Sequence, residues 1–178
     1  MVPTALLVID MQVGLFADGS RFDADGVVSR INALGRAVRA AGGLVVFIQH
    51  EDNGAYAFGS PERQLLSSLE RLPEDAAVRK TACDSFYRSD LEKTLRGRGV
   101  RRLLVTGCAT DFCVDTTLRS AASKDYEVVV VADGHTTADR PHLAAEKIIE
   151  HHNWMWERLI LPGKQLQVSA SEELLTTL

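Results

Sequence analysis

The run Arg101–Thr117, RRLLVTGCATDFCVDTT, breaks a leucine-rich and β-branched stretch at Gly107 and delivers Cys113 shortly after it. A cysteine just past a strand end is placed for chemistry. Thr110 or Asp111 offers a cap for the helix expected next, so the thiol would sit in its first turn. There, unpaired backbone N–H groups and the positive end of the helix dipole favour thiolate. Two more chemically capable residues follow apolar runs: Asp10 closes ALLVID, and Lys80 follows Ala76–Arg79. A carboxylate beside a thiol can take its proton, and an ammonium beside both lowers the thiol pKa and orients the carboxylate. That is the logic of a catalytic triad with Asp and Lys in place of His. Singly, each residue has an ordinary use as loop cap, solvated lysine or buried thiol; together they point to an activated nucleophile.

Convergence requires a scaffold that brings distant strand ends to one edge. Residues 5–10, 44–50, 103–108 and 127–132 are short, nearly continuous apolar runs, as expected of strands buried on both faces. Helical patterns alternate with them. Val27, Ile31, Leu34 and Val38 recur at helical spacing until Gly42 and Gly43, and residues 90–96 and 111–123 read as further crossovers. A long helix is expected from about Pro141 to Trp156, then a strand near Gln165–Val168, with Ser169 and Glu172 as a capping box for a short last helix. The expected fold is α/β: a three-layer, doubly wound, mostly parallel sheet of about six strands with helices on both faces. In such sheets ligands gather beyond the carboxyl ends of the strands, where Asp10, Lys80 and Cys113 would stand.

A chain of 178 residues suits one well-buried domain spanning 1–178. Its 46% hydrophobic and 25% charged residues, with a net charge of −4, offer no basic face for nucleic acid. No apolar run reaches the roughly 20 residues that span a bilayer, and the N-terminus shows no basic region or cleavage signature. A cytoplasmic location is expected, without membrane association. Three cysteines, at 83, 108 and 113, form neither an even framework nor a CxxC knuckle, consistent with reduced thiols. Cys83 and Cys108 lack the helix-start setting of Cys113 and are expected to pack.

The opening LLVIDMQ with Asp10 and Gln12, KTACDSF with Lys80 and Phe86, and VTGCATDFCVDTT with Cys113 stand in an order and spacing that resemble the isochorismatase-like cysteine hydrolase superfamily. That superfamily includes nicotinamidases and N-carbamoylsarcosine amidase. The resemblance covers nearly the whole chain. It implies Cys113 as nucleophile, Asp10 as general base and Lys80 as its charged partner. It also implies a cis peptide between Cys108 and Ala109, and an oxyanion hole formed by the N–H groups of Ala109 and Cys113. The implied activity is hydrolysis of a carbon–nitrogen bond of a small molecule through a thioester, with no cofactor.

Nicotinamidases of the superfamily hold a metal with an Asp-x-His pair after the second strand. Here His50, Glu51 and Asp52 reverse that order and no further histidine precedes His135, so no metal is expected. Isochorismate-cleaving members lack the nucleophilic cysteine, so Cys113 points away from their chemistry. Gln12, Phe16, His50, Phe86, Thr110 and His135 are the expected substrate-binding residues. Glu51–Pro61, with Tyr56 and Phe58 among turn formers, reads as a loop with something to cover. Ala145, Ile148, Ile149, His152 and Trp156 form one stripe of the long helix, and the pairing of Trp154 with Trp156 suggests a homo-oligomer interface. Competing readings pair Cys113 with His50 or His135, or make the fold a binding module without turnover. A dinucleotide site is disfavoured because IDMQVG lacks the Gly-x-Gly-x-x-Gly turn.

Overall fold

In the computed structural model, which describes residues 2–161 and 166–178, six parallel strands form one sheet. They are β1 (Thr4–Ile9), β2 (Leu44–His50), β3 (Ala76–Lys80), β4 (Arg102–Cys108), β5 (Glu127–Thr136) and β6 (Gln167–Ser169), in the spatial order β3-β2-β1-β4-β5-β6. The helices are α1 (Val13–Phe16), α2 (Ala24–Ala40), α3 (Leu91–Gly97), α4 (Asp115–Ser123), α5 (Ala145–Trp156) and α6 (Ser171–Leu175). Because side chains alternate across a strand, β1 splits its residues between two cores. Ala5, Leu7 and Ile9 face a layer that includes Leu91 and Leu95 of α3, Leu118 of α4 and Trp156 of α5. Leu6 and Val8 face the other layer, with Val27, Ile31, Leu34 and Val38 of α2 and Leu174 of α6. Both faces of the sheet are therefore covered, as the unbroken apolar runs require. Among the described residues no helix is long and apolar enough to cross a membrane.

Several expected boundaries shift for identifiable reasons. The long helix begins at Ala145, not Pro141, because the Asp139 carboxylate accepts the Ala145 N–H and sets the start there. Ser169 lies in β6 and caps nothing; α6 is instead anchored by Asp133, which accepts both the N–H and the hydroxyl of Ser171. Gln165, where the last strand was expected to begin, lies outside the described residues. β5 runs on to Thr136, since a bulge lets Gly107 pair with His135 after Val105 has paired with Val130.

The aromatic end of α5 is divided. Trp156 is fully buried and its Nε1–H donates to Asp115 Oδ1 at 2.7 Å, so it is core and not an interface residue. Trp154 is exposed, with the Arg158 guanidinium 4.4 Å above its ring. Phe58 is 84% exposed, its ring meeting the Arg63 guanidinium at 5.5 Å outside the cavity wall, whereas its neighbour Tyr56 turns inward.

Candidate active site

The sheet's strand order reverses direction between β1 and β4, and at such a switch point a crevice opens beyond the carboxyl ends. The registers bring the candidate residues there. Ile9 lies opposite Ile48 and Gly107, and His50 lies opposite Lys80, so Asp10, Cys108 and Lys80 emerge side by side. Gly107 makes this possible: its φ is +121°, and a Cβ there would stand 2.1 Å from the Ile9 carbonyl oxygen, so only glycine lets β4 pass β1 so closely. Asp10 takes a left-handed φ of 49°, uncommon for a non-glycine residue and typical of functional turns, while its N–H donates to Ile48 O at 2.9 Å.

After β4 the Cys108–Ala109 peptide is cis, and residues Thr110–Val114 form one turn of π-helix leading into α4. Neither Thr110 nor Asp111 caps that turn with its side chain. Thr110 Oγ1 is bonded to His135 Nδ1 at 2.9 Å, and the Asp111 carboxylate takes Arg140 and Thr137. What the turn does is bring Cys113 over the strand ends.

Lys80 joins the three expected catalytic residues. Its ammonium lies 2.6 Å from Asp10 Oδ2, 3.2 Å from Cys113 Sγ and 2.9 Å from Ala82 O, which uses all three of its donors. Lys80 and Asp10 are each 1% exposed. Burial alone would lower the Lys80 pKa, but Asp10 and Cys113 outweigh it and hold the ammonium above its ordinary value. Burial raises the Asp10 carboxyl, with Lys80 opposing, and leaves Oδ1 without a hydrogen-bond partner. The thiol corrects the expectation of a depressed pKa: burial, then the Asp10 carboxylate, push Cys113 up, and Lys80 is the cation working against them. Burial first, and the neighbouring carboxylate second, favour the thiol over the thiolate.

A cavity of about 450 Å³ opens onto these groups. Asp10, Cys113, Ala109 and His50 line it, joined by Tyr56, which meets the His50 ring edge-on at 5.8 Å, and by Phe112. The remaining expected binding residues lie elsewhere. Gln12 is buried and supports His50, accepting its N–H and donating to its carbonyl. Phe16 packs against the α2 layer and Phe86 is part of the opposite core. Thr110 and His135 bond each other beneath the floor, and His135 Nε2 is held 3.0 Å from Asn153 Oδ1, with Trp156 edge-on at 5.2 Å. Both nitrogens of His135 are engaged away from the thiol, which removes it as a partner base.

Sequence reasoning missed Arg21, Arg140 and Cys83 in the cavity wall. Cys83 is exposed there, not packed; it lies in the KTAC turn three residues after Lys80, a spacing that placed it near the edge. A larger cavity of about 790 Å³ lies at the other edge of the sheet, beside Glu127 and Arg101, with none of the triad residues in its wall. Among the described residues no group of three or more His, Cys, Asp or Glu could hold a metal.

The family model described as the isochorismatase domain matches residues 4–163. The chain belongs to the isochorismatase family. Within this family it is similar to ureidoacrylate amidohydrolase RutB of Variovorax paradoxus, at 33% identity over 73% of this chain and 67% of that one. It is also similar to streptothricin hydrolase of Streptomyces noursei, at 36% identity over 77% of this chain and 56% of that one. The crystal structure of an isochorismatase family protein, 32% identical, superposes with a TM-score of 0.86 over 94% of this chain and 98% of that one. A cysteine hydrolase from Pseudomonas syringae pv. phaseolicola shares the fold at 23% identity and a TM-score of 0.86, over 97% and 91% of the two chains. The protein is thus a hydrolase of the isochorismatase family.

Proposed function

We propose that this isochorismatase-family hydrolase is a cysteine amidohydrolase that cleaves a carbon–nitrogen bond of a small molecule. The observation that carries the reading is the single ammonium of Lys80 bridging Asp10 Oδ2 at 2.6 Å and Cys113 Sγ at 3.2 Å. In this mechanism Asp10 takes the thiol proton as Sγ attacks an amide-like carbonyl, and Lys80 stabilises the sulfur and carboxylate charges on either side of the transfer. The N–H groups of Ala109 and Cys113, both in the cavity wall, receive the oxyanion. Asp10 returns the proton to the departing nitrogen as the C–N bond breaks, leaving a thioester. Water then attacks, Asp10 accepting its proton, and collapse of the second tetrahedral intermediate releases the acid and restores the thiol.

The names of the RutB relatives support amide hydrolysis, and a cavity of about 450 Å³ suits a small molecule. The test is ammonia release from a panel of small amides, carbamoyl and ureido compounds, with and without a chelator. Chelator-resistant release that disappears in Cys113→Ala is the expected result. Full activity of Cys113→Ala would overturn the mechanism.

A further inference from the structure

The cavity wall carries three side chains of fixed charge: Asp10, Arg21 and Arg140. Two of them are answered from within the protein. Asp10 is paired with Lys80 at 2.6 Å. The Arg140 Nε and Nη2 each lie 2.9 Å from the Asp111 carboxylate, Nη2 also donates to Thr137 Oγ1, and the guanidinium rests 5.2 Å above the Phe112 ring. Arg21 differs. Its Nε donates to Leu15 O at 2.6 Å, and among the described residues neither Nη atom has a hydrogen bond or an ion pair. The end of its guanidinium, two parallel donors, is open.

The open end is held in place. Arg21 pairs antiparallel with Ala138, the Phe22 N–H donates to Thr137 O at 3.0 Å, and the Thr136 hydroxyl donates to Phe22 O at 2.6 Å, so the backbone on which Arg21 stands is pinned to the segment after β5. Its charge is felt inside the cavity. Burial raises the Tyr56 hydroxyl and Arg21 opposes that shift; burial pushes Cys108 up to about 12, with Arg21 again the foremost opposing cation. A positioned, half-buried arginine with a free fork matches a planar anion bidentately, which a point charge does not. The molecule as a whole is negative, at −4, so long-range attraction does not supply this preference and a local group must.

We infer that the substrate carries a carboxylate besides the bond that is cleaved, and that Arg21 is the specificity-determining residue that receives it. The inference rests on the proposed function for its choice of cavity. It separates this site from one for a neutral amide: a neutral substrate in the cavity leaves the Arg21 fork unanswered, whereas a carboxylate satisfies both donors.

The experiment compares 3-ureidopropionate with its uncharged carboxamide, by calorimetry, in the Cys113→Ala protein so that no turnover occurs. The acid is expected to bind at least tenfold more tightly than the carboxamide. Adding Arg21→Gln should weaken the acid alone and bring the two within about threefold, while Arg21→Lys should restore part of the preference. Equal binding, absence of binding by both, or a preference that survives Arg21→Gln would overturn the inference. Turnover by the protein with Cys113 intact judges the other reading separately. A carboxylate preference without any C–N hydrolysis would sink the amidohydrolase and leave the Arg21 assignment standing; hydrolysis of acid and carboxamide at equal kcat/KM would do the reverse.

Discussion

Lys80 has spent its three donors on Asp10, Cys113 and the Ala82 carbonyl, so it is fixed as a cation between the two groups that exchange a proton in the proposed mechanism. The base works only when ionised, and burial holds the Asp10 carboxyl above its ordinary value. The acid limb of kcat/KM should therefore lie above the usual carboxylate value near 3.9. Because Lys80 lowers the Asp10 pKa, Lys80→Gln should move that limb to still higher pH and cut kcat by roughly 10²–10⁴; a pH–rate profile of the residual activity checks both. A limb unmoved by the substitution would mean that another group titrates. His135, beneath the same floor, makes a stability prediction with the opposite charge logic. Burial lowers its pKa from 6.5 to about 4, so between those values the unfolded chain holds a proton that the folded chain does not. Stability from this group is present above 6.5 and lost as pH falls. The loss between pH 7.5 and pH 5 is about 2 kcal/mol, from the 1.36 kcal/mol per unit linkage. His135→Gln should be less stable at pH 7.5 but should lose less on acidification, as read by urea midpoints at the two pH values.

At the scale of elements, the site depends on how closely β4 passes β1. Gly107→Ala would put a methyl group 2.1 Å from the Ile9 carbonyl oxygen at a φ of +121°, and neither backbone can yield without moving Asp10 or Cys108. The variant is expected to lose more than about 3 kcal/mol, in the exceptional tail of single substitutions, and to appear as a steep fall in soluble yield and melting temperature. Wild-type melting would show that the strands can part. The sequence made β1, β2, β4 and β5 legible because each is apolar on both faces, and Asp10, Lys80 and Cys113 legible because each stands at or just past the end of a strand-like run. It did not make the cavity wall legible. Gln12 and Phe86 adjoin the triad residues in sequence, yet strand alternation and turn geometry send their side chains into supports and core. Arg21 and Arg140 reach the cavity from irregular segments whose path no periodicity encodes. The β5 irregularity falls at Asp133-Gly134, a turn signal that marks a break but not its direction, so His135, expected at the site, is carried under it.

For the whole molecule, the order β3-β2-β1-β4-β5-β6 means that Lys80 arrives from the edge strand while Asp10 and Cys113 arrive from the centre. The edge strand is short and must be held in register for the triad to exist. One tie is Arg39, in the last turn of α2, whose Nε and Nη2 meet the Asp75 carboxylate at 2.9 and 2.6 Å just before β3 begins; Asp75 also accepts the Leu72 N–H at 2.7 Å. The side chains of this pair are 14% and 2% exposed, so removing one partner strands a largely buried charge. Its neighbour on the same helix, Arg36 with Glu70 at 2.5 Å, is 58% and 45% exposed and is screened by water. Distance does not distinguish these two ion pairs, and burial does. Asp75→Ala should cost about 3 kcal/mol and lower the melting temperature by roughly 10 °C, whereas Glu70→Ala should change stability by no more than about 0.5 kcal/mol. Neither Asp75 nor Glu70 lines the cavity, so KM for any substrate found should stay within about twofold in the folded fraction of both variants. A raised KM in Asp75→Ala at temperatures well below its melt would show that the α2 tie sets the position of Lys80 as well as the stability of the sheet.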